Sequence, residues 1–180
     1  MNKLKFVRIF SLKGVPIQIH WTLILVMFLI SLIGFPNLSL VVLAVILLFV
    51  VLVHELGHMW FVSRYGLETI DIKLYPLHGV CTYVKAETEY ENSVIAWGGV
   101  VAQAVVFVPC IISYSLFSEL LPSYLSGILL YLGYGNLLLA LFNILPITGF
   151  DGSRAWKAIP LFYKFRKSNH KKKNHLKVVK

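Results

Sequence analysis

From Gly14 to His54 the chain contains no Asp, Glu, Lys or Arg. An uncharged stretch of that length accommodates two membrane-crossing helices at about 20 residues each. It is interrupted at Gly34-Phe35-Pro36-Asn37, a cluster of turn formers. Composition decides between a membrane and a soluble core. Of the 180 residues, 58% are hydrophobic and 14% charged, and the mean hydropathy is +0.76. Soluble domains carry about 25% charged residues, and small chains bury the smallest fraction of their surface. A soluble enzyme, a disordered tail and a disulfide scaffold are therefore excluded. The expected fold is an α-helical polytopic membrane protein with spans near 17–35, 38–62, 93–117 and 124–146. The first is read as a retained helix, since no small-residue cleavage site follows the N-terminal lysines.

The formal charge of +9 is explained by where the cations lie. Lys3, Lys5, Arg8 and Lys13 precede the first span, Arg64, Lys73 and Lys85 lie between the second and third, and Arg154, Lys157 and the tail to Lys180 follow the fourth. The connections Phe35–Asn37 and Ser118–Ser123 contain no Lys or Arg. The bias predicts both termini on the cytoplasmic side of a cell membrane; a bacterial source is expected. The charge serves topology and attraction to anionic lipid. Nucleic acid is not expected as a partner, because no folded nucleic-acid module accompanies the tail. Residues 1–163 are expected to form one membrane-embedded domain and 164–180 a basic cytoplasmic tail.

Between the second and third spans the pattern changes. Ile70, Ile72 and Leu74 alternate with Asp71 and Lys73, and Val80-Cys81-Thr82-Tyr83-Val84 is rich in strand formers, with Pro76-Leu77-His78-Gly79 between. This predicts a small cytoplasmic β-hairpin or short sheet. Cys81 lies three residues after His78, but no second pair of ligands stands nearby. Trp21, Trp60, Trp97 and Trp156 read as interfacial anchors, and Gly127, Gly133 and Gly135 as points of close helix packing.

His54-Glu55-Leu56-Gly57-His58 lies toward the end of the second span. Helical spacing sets His54 and His58 one turn apart on one face, where two imidazoles can share a cation. Glu55 stands beside them, close enough to take a proton from water that a metal has acidified. Three ionisable groups in an apolar span are costly, and a divalent cation compensates them. A catalytic zinc site usually has a third protein ligand. Glu87, Glu89 and Glu91 belong to the polar cytoplasmic segment. Asp151 is the better candidate, because the second and fourth spans run in the same direction and bring it to a depth similar to that of the histidines. The alternative for Asp151 alone is a cap on the short helix beginning at Gly152.

Together, His54-Glu55-Leu56-Gly57-His58 and Asn143-x-x-Pro146-x-x-x-x-Asp151-Gly152 resemble the site-2 protease family of intramembrane zinc metalloproteases. Gly14-Val15-Pro16-Ile17 with His20-Trp21 resembles the opening of that family's first helix, and Tyr75-Pro76-Leu77-His78-Gly79 its turn after the HExxH helix. The resemblance implies one zinc ion held by His54, His58 and Asp151, Glu55 as general base, and Asn143 lining the substrate cleft. It implies a membrane-spanning substrate cut within or beside the bilayer. The compactness is most similar to the sporulation-factor branch, of the stage IV sporulation protein FB type, which lacks PDZ and regulatory domains. One departure falls at Ala96-Trp97-Gly98-Gly99-Val100-Val101-Ala102-Gln103, where many members have Ala-Gly-Pro-x-x-Asn. The proline is absent, and whether Gln103 replaces the amide is left open.

A helical substrate hides its peptide bonds, so it must unwind to be cut, and the predicted hairpin offers a strand edge to receive it. A metal transporter or a non-proteolytic scaffold is the alternative. Transport would require ligands across the bilayer, which the first and third spans scarcely offer, and a scaffold would tolerate loss of Glu55.

Overall fold

The computed structural model describes residues 5–34, 38–76 and 78–164. The Phe35-Pro36-Asn37 turn, Leu77 and the tail from residue 165 onward lie outside the described residues. The chain opens with strands β1 (Phe6–Leu12) and β2 (Val15–His20), joined at Lys13 and Gly14 with φ of 50° and 86°. Two successive positive φ values suit the tight turn of a twisted hairpin. Helix α1 (Trp21–Gly34) and helix α2 (Ser39–Arg64) follow, then β3 (Thr69–Leu74) and β4 (Gly79–Tyr83). Helix α3 (Glu89–Phe117) starts on a capping box, in which Thr88 Oγ1 accepts from the Glu91 amide and the Glu91 carboxylate accepts from the Thr88 amide. Helix α4 (Ser123–Asn143) contains a π-helical turn at Tyr131–Gly135, and a short helix α5 (Gly152–Ala155) follows, with residues 158–164 again helical.

Among the described residues, α2, α3 and α4 are long and apolar enough to cross a membrane. Their outer faces carry exposed Val45, Phe49, Val105, Leu116 and Leu138, whereas Gln103 and Asn136 are buried. Polar groups inside and apolar groups outside are the arrangement a lipid solvent selects. This is a multi-pass membrane protein.

The first expected span differs. Residues 17–20 belong to β2, and the helix after them has only 14 residues. At about 1.5 Å per residue that helix is about 21 Å long, short of a hydrocarbon core of about 30 Å. The physical reason is visible in Val15-Pro16-Ile17-Gln18-Ile19-His20, where apolar and polar residues alternate at the strand period. This strand pairs antiparallel with β1 and parallel with β3, and β3 pairs antiparallel with β4, giving a four-stranded sheet in the order β1-β2-β3-β4. Ile17, Ile72 and Leu74 of the sheet pack with Leu23 of α1 to form its core, with Leu48, Leu52 and Leu56 of α2 against it. The sheet is thereby fixed to the helix that carries the histidines.

Candidate metal centre

His54, Glu55 and His58 are 7%, 4% and 6% exposed. Their helix can bring them to the centre of the bundle because α2 and α3 approach backbone to backbone. A Cβ placed on Gly57 would stand 2.2 Å from the Gly98 carbonyl oxygen, and one on Gly98 would stand 2.7 Å from that of Gly57. Small residues at a helix crossing allow this approach. The next glycine makes room for the imidazole, since a Cβ on Gly99 would lie 2.3 Å from His54 Cε1. On the other side β4 closes over Glu55: a Cβ on Gly79 would be 2.3 Å from Glu55 Cγ, and the Cys81 backbone amide hydrogen-bonds to the Glu55 carboxylate.

Asp151 reaches the same point from beyond the end of α4. Its Oδ2 lies 2.8 Å from His54 Nε2 and 3.0 Å from His58 Nε2, and the two Nε2 atoms are 3.0 Å apart. Its side chain makes no capping bond to α5, so the capping alternative is not what this carboxylate does. Arg154 Nη2 donates to the other oxygen, Oδ1, at 3.0 Å.

The segment that delivers Asp151 is tied down by hydrogen bonds. Trp97 Nε1 of α3 donates to the Ala155 carbonyl at 2.9 Å, and Trp156 Nε1 donates to the Ile144 carbonyl at 2.7 Å. The two indoles meet edge to face at 5.2 Å. A Cβ on Gly152 would lie 2.2 Å from the Ile144 oxygen, so the loop closes tightly on itself. Trp97 and Trp156, expected as interfacial anchors, are thus ties on the Asp151 loop. Neither partner carbonyl is recognisable from sequence, because both pairings join distant or irregular backbone. Among the three glycines expected at helix contacts, only Gly133 is tight, with a Cβ position 2.9 Å from Ile111 Cγ1, whereas Gly127 faces open space.

Both remaining ring nitrogens are engaged. His58 Nδ1 lies 2.8 Å from the Ile95 carbonyl, to which it donates, and His54 Nδ1 lies 3.0 Å from Gln103 Oε1. Asn143 Nδ2 is 3.5 Å from His54 Nδ1, and Asn143 borders the same cavity of about 560 Å³ as His54, Glu55, His58 and Asp151. Cys81 also borders it. Burial, with the charges of Glu55, Asp71 and Asp151, pushes its thiol up to about 12.

The donor set fits a cation on its own chemistry. Two imidazole nitrogens and a carboxylate oxygen, all within 4.8 Å of one another, point their electron pairs at one place. Two histidines and one carboxylate are a familiar catalytic zinc set.

Residues 42–106 match the model of peptidase family M50. A curated relative, zinc metalloprotease MJ0392 of Methanocaldococcus jannaschii, is 33% identical over 155 residues, covering 85% of this chain and 45% of that protein. The chain thus spans just under half the length of that relative. The solved structure of a site-2 protease from Methanocaldococcus jannaschii aligns with a TM-score of 0.68 and 28% identity, over 86% of this chain and 71% of that one. The donor set could hold a metal ion, and the name of the Methanocaldococcus relative describes that protein as a zinc metalloprotease.

Proposed function

We propose that this chain, which belongs to the site-2 protease family of zinc metalloproteases, hydrolyses a peptide bond within or beside a membrane-spanning segment of another protein. The observation that carries the reading is the meeting of His54, His58 and Asp151 beside Glu55, in a cavity walled by membrane-spanning helices. In it His54, His58 and Asp151 would hold one zinc ion, which would supply Lewis acidity to the scissile carbonyl and to water. Glu55 accepts the water proton and returns it to the leaving amine. Arg154 neutralises the outward oxygen of Asp151, leaving Oδ2 to face the imidazoles. Asn143, a hydrogen-bond donor at the cavity wall, holds the substrate backbone.

The substrate class is set by the surroundings. The cavity sits inside an apolar bundle, and β4, the outer strand of the sheet, borders it. An unwound segment adds to that strand, so that its backbone polar groups stay paired in a low-dielectric site. A Tyr83→Pro protein that retains zinc is expected to lose cleavage; undiminished cleavage would remove this docking mode. The distribution of basic residues supports both termini on the cytoplasmic side of a cell membrane. An even number of crossings is then required, so α1 crosses as a fourth, short element where the bilayer thins to meet it. Residues 1–163 act as one unit, with 164–180 as its basic tail.

A transporter or scaffold has less support, because among the described residues no ligand chain extends from the centre across the bilayer. Co-expression with single-span candidate substrates tests the reading. Glu55→Gln is expected to lower cleavage by about 10²–10⁴-fold with zinc retained, and Asp151→Asn to lower bound zinc. Processing that survives Glu55→Gln sinks the protease reading, and unchanged zinc in Asp151→Asn overturns that ligand.

A further inference from the structure

Two side chains in the bundle interior have no part in the proposed chemistry, yet each is only 1% exposed: Gln103 of α3 and Asn136 of α4. Buried amides in a span are costly unless they are fully paired. These two pair with each other and with His54, and the direction of every bond is fixed by what each atom can do.

Asn136 Nδ2 lies 3.3 Å from the Gln103 backbone carbonyl. A carbonyl only accepts, so the nitrogen side of Asn136 must face it, and Oδ1 must face the Gln103 side chain. That oxygen also only accepts, so Gln103 presents Nε2 to it, at 2.9 Å. Gln103 Oε1 is then left facing His54 Nδ1 at 3.0 Å. An oxygen without hydrogen requires a proton on that nitrogen. The lone pair is therefore on Nε2, which faces Asp151 Oδ2 and His58 Nε2. Asn143 Nδ2, 3.5 Å from the same Nδ1–H, has a donor opposite it and makes no competing bond.

We infer that Gln103 and Asn136 are positioning residues, a one-way amide relay anchored on the Gln103 carbonyl that holds His54 in the Nδ1–H tautomer and aims Nε2 at the metal. The inference rests on the proposed zinc site. Metal-bound histidines usually donate their second nitrogen to a carboxylate, a carbonyl or water. His58 uses the Ile95 carbonyl. At His54 a carboxylate would add a desolvated charge, whereas two amides fix the same tautomer with no net charge. The π-helical turn Tyr131–Gly135 ends immediately before Asn136. Its extra residue rotates the remainder of α4 by about 100° relative to a regular helix, which sets the side of α4 on which Asn136 lies.

The test compares Gln103→Met, which keeps length and removes the acceptor, with Gln103→Glu, which restores an acceptor at the same place. Full-length protein in detergent is titrated with zinc against a chelator, its folding followed by thermal denaturation, and its Co²⁺-substituted absorption recorded. Gln103→Met is expected to bind zinc about 10–100-fold more weakly with an altered Co²⁺ spectrum, and Gln103→Glu to recover most of the affinity. Asn136→Leu, which frees the Gln103 amide to turn, should fall between parent and Gln103→Met, and it serves if Gln103→Met does not fold. Parent-like affinity in both Gln103→Met and Asn136→Leu overturns the relay, and so do equal losses in Gln103→Met and Gln103→Glu. The zinc reading fails separately, if the parent protein binds no zinc or Asp151→Asn binds it as the parent does.

Discussion

His54 and His58 on α2 and Asp151 on the loop after α4 meet at one point, but the chain holds them there by different means. The histidines sit one turn apart on a regular 26-residue helix, and their separation is a consequence of helix geometry alone. Their rings still need space, which Gly57, Gly98 and Gly99 provide by bringing α2 and α3 together. Asp151 has no such frame. Its backbone is irregular from 144 to 151, and two indole N–H bonds and one tight glycine keep it in place. A side chain on a helix resists loosening but not crowding, whereas one on a loop depends on each tie. Two supports of different kinds let one half of the centre be assembled by local folding and the other only by tertiary contact.

Crowding the helical half should have the largest effect. In Gly99→Ala the new methyl meets a ring held by the relay on one side and by the helix on the other. Zinc affinity is expected to fall about 10–100-fold, the range for a disturbed ligand orientation. Affinity equal to that of the parent would show that α3 gives way and that the crossing is softer than its contacts suggest. Loosening the loop half should do less. Trp156→Phe keeps an aromatic ring beside Trp97 and removes only the N–H bond to Ile144, a contact of about 1 kcal/mol. Zinc affinity should drop by about fivefold, read by the same chelator competition. A loss as large as that of Gly99→Ala would mean that the loop has no redundancy. The smallest effect is expected far from both halves. Thr88→Ala removes the α3 capping box and costs about 1 kcal/mol of stability, seen as a lower melting temperature with zinc affinity unchanged. A change in affinity would show that the start of α3 is coupled to the centre.

The candidate residues of the centre could be named without coordinates. A histidine pair at helical spacing in an uncharged span has few structural uses, and an aspartate at the end of a parallel-running span has a matching depth. The sheet was legible only in part. Ile70–Val84 alternates clearly enough to be read as strands, whereas Val15–His20 lies inside an uncharged run that a hydropathy window merges with the helix after it. Its alternation is short, and its strand character is completed by the neighbouring hairpin strand Phe6–Leu12 and by the distant Thr69–Leu74. Gln103 shows the same limit. Its amide is plain in the sequence, but its role depends on which atoms of Asn136 and His54 it faces.

By itself the sequence determined the solvent of this protein, the chemistry of its candidate ligands and the helix on which two of them lie, because hydropathy and a 3.6-residue period are local properties. Tertiary structure alone decided that the edge strand β4 of a four-stranded sheet closes over Glu55, that two tryptophans tie the Asp151 loop, and that Gln103, backed by Asn136, faces His54. Those depend on direction and on sub-ångström clearance between segments far apart in the chain, and no local pattern encodes either.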